Sequence, residues 1–226
     1  MFSKKKILVL AAFSLAFIIA IIIRNTEKYE ANRVVAGHFY SELYQHCGAA
    51  YEGRIAANNH TYPFINDDQV IVAHIRICRR DRMKIALHVL SSNGKLWDRS
   101  RTLLITRSAN DLFELRHLNR QMDGRLTGYS MYGGYSSGSG RNGIQQFIAY
   151  EENDIHDSWQ IEIVPNQRFS YGSMKNGTWI FRVDFDLTAP LEELPPPPWG
   201  IDGNNREGMQ EITLEDGRTI LITCQI

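Results

Sequence analysis

The sequence predicts a mainly β protein: an antiparallel barrel or tightly curved sandwich, preceded by an N-terminal transmembrane helix and a short amphipathic helix. Three observations carry that prediction. From residue 70 onward the apolar period is 2 rather than 3.6. The alternating runs are short and separated by polar turns such as "RRDR", "SSNGK" and "SAND", the pattern of an antiparallel sheet with one buried face. Finally, "KNGT" sets Asn176-Gly177 between two such runs, the strongest two-residue hairpin signal.

The first element is apolar. Lys4, Lys5 and Lys6 precede a run from Ile7 to Ile23 broken only by Ser14, close to the ~17-residue lower limit for a helix crossing ~30 Å of hydrocarbon. A cleaved signal peptide, the alternative, has a shorter apolar region and small side chains at its cleavage site. Here "AIIIRN" puts isoleucines in that place, and the first cysteine, Cys47, lies too far along for lipoprotein processing. Residues 1–24 therefore read as an uncleaved signal anchor. The lysines stay cytoplasmic under the positive-inside tendency, which makes the protein single-pass in the inner membrane with its soluble domain in the periplasm.

Residues 25–48 read as a helical connector, since Val35, Phe39 and Leu43 recur at four-residue steps and Gly48 offers a stop. The β domain spans 49–190. Ile71, Ala73, Ile75 and Ile77 share one face, with His74 and Arg76 on the other. Met83, Ile85, Leu87 and Val89 repeat the pattern, then "RTLLIT" and "DLFELRH" follow as strands. Trp159, Ile161 and Ile163 alternate with polar residues, and "NQRFSYGSM" leads into the Asn-Gly hairpin. Beyond it Trp179, Phe181, Val183, Phe185 and Leu187 form the longest apolar face, that of a core strand.

The four prolines of "LEELPPPPWG" cannot continue a sheet, so 191–202 reads as an extended linker. Residues 203–226 read as a C-terminal hairpin turning at Asp216-Gly217. Alone it would be marginal, so it is expected to dock on the main domain or on an envelope protein partner. Over the chain 25 basic residues balance 25 acidic ones, which gives no electrostatic reason to bind nucleic acid. Three cysteines in an exported domain suggest one disulfide. Cys47–Cys78 is favoured, tying the helix end to a strand end and leaving Cys224 over.

The chemical signals are weaker. "GSGRNG", Gly138 to Gly143, matches G-x-G-x-x-G, and Ile144, Phe147 and Ile148 behind it have helical spacing. The segment before it, however, is polar and glycine-broken where a dinucleotide site needs a buried parallel strand. The motif is read as a loop, and no cofactor is expected. His38, Glu42 and His46 recur on one helix flank, read as solvated. His74 and His88 lie on the polar faces of neighbouring strands and lack a third ligand, so no metal is expected. No G-x-S-x-G elbow is present, and no catalytic residue is assigned. In "FELRHLNRQMDG", His117 is in phase with Phe113 and Leu115 and points inward near a strand end. Arg120 and Asp123 follow in the turn, with Tyr129 and Tyr132 in the next loop. These five are the candidate ligand-binding residues, because inward polar groups at a barrel mouth can orient a ligand.

Taken together, "CGAAYEGRI", "VIVAHIRIC", "LLITRSANDLFELRHLNRQMDG", "MYGG" and "WIFRVDFDLTAPL…PPPPWG" resemble a family of small exported proteins of Gram-negative bacteria that carries no assigned activity. The resemblance covers roughly residues 47–200. It implies an antiparallel β fold, a periplasmic location and the Cys47–Cys78 pairing. The family's counterpart of "HLNRQMDG" is richer in histidine and acid. Here His117, Arg120 and Asp123 remain, while Leu118 and Gln121 remove two potential ligand positions.

Three functional expectations follow. The first is a non-catalytic binding or structural role in the cell envelope, through the aromatic loop or the C-terminal hairpin. The second is a barrel that carries a small apolar ligand, and the third a hydrolase with a site assembled from distant loops.

Overall fold

The computed structural model describes residues 17–24, 39–59, 69–108, 112–137, 143–150, 156–201, 209–213 and 219–223. Ten antiparallel strands close into one barrel: β1 (Ala50–Asn58), β2 (Ile71–Cys78), β3 (Arg82–Leu90), β4 (Trp97–Arg107), β5 (Phe113–Asn119), β6 (Gly133–Ser136), β7 (Ile144–Ala149), β8 (Ser158–Val164), β9 (Arg168–Lys175) and β10 (Thr178–Pro190). Each strand pairs with its sequence neighbours, and β1 pairs with both β2 and β10. The architecture is therefore a simple up-and-down barrel with no free sheet edge.

Alternation assigns the inner face. Ile71, Ala73 and Ile75 of β2, Met83, Ile85 and Leu87 of β3, and Ile161 and Ile163 of β8 are all buried in one core. Phe113, Phe147, Phe169 and Phe185 join them, each at most 1% exposed. A buried side chain of this size contributes about 1.5–3 kcal/mol. At the β9–β10 turn Asn176 and Gly177 both have positive φ, 49° and 73°, the geometry that selects this dipeptide. Where β1 crosses β10 the pairing slips between Tyr51 and Gly53. A Cβ on Gly53 would lie 2.4 Å from the Phe185 ring, so the absent side chain makes room for a large one on the paired strand.

Ten strands enclose more space than the roughly eight that side chains alone can fill. At one end, the base, the surplus is taken up by a helix over residues 39–45. Phe39 and Leu43, two of the three apolar residues read from the spacing, are buried, while Val35 lies outside the described residues. Phe39 meets Phe113 edge-on at 5.6 Å, Tyr40 stacks on Phe113 at 5.5 Å, and the Tyr40 hydroxyl donates to the Arg79 carbonyl. The Cys47–Cys78 disulfide, with Cα atoms 6.0 Å apart, ties the end of this helix to the end of β2.

The proline-rich segment packs against the barrel. The Leu191 amide donates to the Ala50 carbonyl at its start, and the Trp199 amide donates to the Arg99 carbonyl at its end. Arg99 Nη1 donates to the Pro197 carbonyl at 2.7 Å, and Pro195 and Pro198 are buried. The segment is thus a strap running from β1 to β4 over the outer side of the sheet. It ends where Gly200 and Gly124 touch backbone to backbone, with no space for a Cβ on either.

Several sequence readings are corrected. Ile144–Ala149 is strand β7 and not a helix: Gln145 and Phe147 face inward, while the apolar Ile148 is 48% exposed, which produced the false helical spacing. Gly133–Ser136, read as part of a loop, is the short strand β6. His46 is buried and bonded to the Tyr51 hydroxyl at 2.8 Å rather than solvated. His74 and His88 are also buried, although they face away from the barrel interior. The C-terminal hairpin is present as β11 (Met209–Thr213) paired with β12 (Thr219–Thr223). The "GSGRNG" loop lies outside the described residues except for Gly143, as does most of the expected anchor. Residues 17–24 are helical, and among the described residues no helix is long and apolar enough to cross a membrane.

Candidate functional site

At the end of the barrel opposite the helix, the interior is not filled. A chamber of about 80 Å³ lies beneath the mouth, walled by Leu87, Val89 and Leu103 on one side and by Trp159, Phe181 and Val183 on the other. Its polar groups are few and come from three strands and one loop: Arg101 and Thr102 of β4, His117 and Asn119 of β5, Tyr171 and Ser173 of β9, and Tyr132 before β6. A largely apolar hollow with a few convergent polar groups is the usual form of a small-molecule site.

His117 is the best-defined of them. Its Nδ1 lies 3.1 Å from the Tyr132 carbonyl, and its Nε2 lies 2.5 Å from the Tyr171 hydroxyl. A carbonyl can only accept, so Nδ1 carries the proton and donates, and Nε2 accepts from Tyr171. The Tyr132 ring stacks on the imidazole at 4.3 Å with an interplanar angle of 6°, and Trp159 approaches it at 5.0 Å. Burial pushes the imidazole down to about 4, with the Tyr132 carbonyl opposing and His156 adding to the fall. The ring is therefore neutral near pH 7. With Tyr132 and Tyr171 on its two nitrogens it is not arranged as a base for a serine nucleophile, so this arrangement offers the hydrolase reading no support.

The five residues singled out from sequence divide. His117 and Tyr132 meet on the chamber wall. Arg120 turns away and donates from Nη1 to the Gly124 carbonyl at 2.6 Å. The Asp123 carboxylate accepts from the Arg125 backbone amide and from its Nε at 2.7 Å. These bonds, the backbone one foremost, lower its pKa. Tyr129 is 86% exposed, and its carbonyl accepts from Asn119 Nδ2. The last three thus shape the β5–β6 loop and do not reach the chamber.

Arg101, Asn119, Trp159, Tyr171 and Ser173 were missed. A signal existed for each: Arg101 is in phase with Leu103 and Ile105, Asn119 with Leu115 and His117, Trp159 with Ile161 and Ile163, and Tyr171 and Ser173 with Phe169, so period 2 already aims all five inward. Among the described residues no three His, Cys, Asp or Glu side chains come together as metal ligands.

Next to the chamber is a second, more open hollow of about 240 Å³. Leu96, Trp97, Asp98, Met122 and Trp199 line it, and it shares Val89 and Arg101 with the chamber. Arg101 stands at the boundary, with Nη1 2.6 Å from Asp98 Oδ2.

In comparison with known proteins, no family model matches the chain, and neither a curated protein nor a solved structure matches it.

Proposed function

We propose that this protein is a non-catalytic binding barrel of the cell envelope, holding a small, mainly apolar ligand in the chamber beneath its mouth. The observation that carries the reading is the contrast between the two ends. The base is packed with Phe39, Leu43 and Phe113, whereas the mouth end keeps a hollow walled by Trp159, Phe181 and Tyr171 around the His117 pair. Its volume is several times the ~10–15 Å³ that one water needs and about half that of cavities known to hold benzene, ~150 Å³. The chamber accordingly takes the apolar end of a small ligand, whose remainder lies in the mouth.

The periplasmic and membrane-anchored parts of the proposal rest on sequence features. A disulfide suits an oxidising compartment, and Lys4–Lys6 before the apolar run suit a cytoplasmic start. Phe17, Ile18 and Ile22 in the helix over 17–24 are exposed, which supports insertion in lipid. The test is saturation-transfer NMR on the full chain in lipid nanodiscs with phenol, benzoate and hexanoate. Transfer from chamber protons and its loss in Val183→Trp, which fills the hollow, is the expected result. No transfer to any probe, with the fold intact by circular dichroism, would overturn the reading.

A further inference from the structure

Among the described residues, the chamber wall carries one formal charge. Twelve of the lining side chains are apolar, aromatic or hydroxyl-bearing, Asn119 is a neutral amide, none is acidic, and the His117 ring, enclosed between the Tyr132 carbonyl and the Tyr171 hydroxyl, is held neutral by its burial. The exception is Arg101. Its counter-ion, Asp98, is not part of the chamber wall; it belongs to the adjoining hollow beneath Trp199. The chamber is therefore met by the positive member of the pair alone, whereas the open hollow is met by both.

The ion pair is also built to exchange. Asp98 keeps a second partner when Arg101 leaves, because its Oδ1 accepts from the Ser100 amide at 3.0 Å. Both side chains are 38% exposed, so neither is locked in place. Swapping one carboxylate for another keeps one anion on the guanidinium, with Asp98 left to the Ser100 amide, and preserves the directed geometry that arginine offers. A neutral ligand gains nothing from this arrangement.

Resting on the binding reading above, we infer that the ligand is a small monocarboxylate. Its apolar body lies in the chamber against Trp159 and Phe181, and its carboxylate displaces Asp98 on Arg101. The hollow beneath Trp199 is the portal, since among the described residues it meets the chamber at Arg101 and Val89. The strap that carries Trp199 is held by the Arg99–Pro197 bond and the Gly124–Gly200 contact, so the portal has a fixed roof. Arg101 is thus a binding and specificity-determining residue.

The experiment compares matched pairs, benzoate with benzamide and hexanoate with hexanamide, by calorimetry on the full chain in nanodiscs. The acids are expected to bind about tenfold or more tightly than the amides, the size of a charge-assisted bond against a neutral one. Arg101→Gln should erase that difference while leaving amide binding in place. Asp98→Asn should strengthen acid binding, because the competing carboxylate is gone. This second variant decides the matter even if Arg101→Gln fails to fold. If acids and amides bind equally, or Asp98→Asn does not favour acids, the anchor is refuted and the binding barrel stands. If neither class binds, the binding reading falls as well.

Discussion

Acid should destabilise this barrel in a window set by its buried histidines. His74, His88 and His117 are 5%, 0% and 5% exposed, and each is pushed from an ordinary 6.5 down to about 4, chiefly by burial. For His88 the neighbouring His74, Arg76 and Arg99 push further down, with Asp98 opposing. For His74, Arg76 acts the same way and a hydrogen bond to the Gly48 backbone opposes it. The sign follows directly. Between 6.5 and about 4 the unfolded chain holds protons that the folded chain refuses, so unfolding takes up protons and stability falls as pH falls. One such proton is worth about 1.4 kcal/mol per pH unit, and three acting together about 4 kcal/mol per pH unit in the middle of the window. Against a typical total of roughly 5–15 kcal/mol, a slope of that size removes a large fraction of the barrel's stability within the window. The assay is urea denaturation of the full chain at intervals from pH 7.5 to 4.5. Dividing the slope of stability against pH by the value per proton counts the protons taken up. His88→Gln should lower that count by one. A stability that stays flat down to pH 4.5 would refute the argument that these imidazoles are buried and neutral.

Three further perturbations probe the frame. Reducing Cys47–Cys78 opens a loop of 31 residues, so the double Cys→Ser variant should lose roughly 3–4 kcal/mol by chain entropy, read from urea midpoints. Gly53→Ala forces a methyl into the Phe185 ring and should cost about 1–3 kcal/mol. Combined with Phe185→Leu, most of that cost should vanish, and simple additivity in a double-mutant cycle would show that the two sites do not touch. Phe113→Ala removes the ring under Phe39 and Tyr40 and should cost about 3–5 kcal/mol, with faster amide exchange in residues 39–45.

Strands whose inner residues are apolar were legible: Ile71, Ala73 and Ile75 or Phe181, Val183 and Phe185 announce themselves by alternation. β7 was not, because its inward Gln145 is polar and its outward Ile148 apolar. β6 has only four residues, two of them glycine, too few for a period to show. Barrel closure could not be read either, since it depends on Gly53 meeting Phe185 across 132 residues. The burial of His74 and His88 escaped notice for a related reason. Period 2 places a residue on the outer face but says nothing about what covers that face. At the site, His117 was found because its strand phase was clear. Arg120 and Asp123 were over-weighted because turn residues carry no phase, and their side chains proved to serve the turn itself.

The seam between β1 and β10 has a kinetic consequence. As the chain is made from its N-terminus, β1 finds β2 early, but its other edge stays unsatisfied until β10 exists. Every strand from β2 to β9 can join a growing open sheet by local hairpins, which is fast, whereas the last pairing closes the longest loop of the domain and is expected to be slow. Until then two raw edges, one on β1 and one on the newest strand, are available to other chains. A chain interrupted anywhere before Thr178 would keep both edges permanently. Aggregation of such fragments, against a whole chain that stays dispersed in nanodiscs, would locate the vulnerable moment in this protein's biogenesis at the synthesis of one strand.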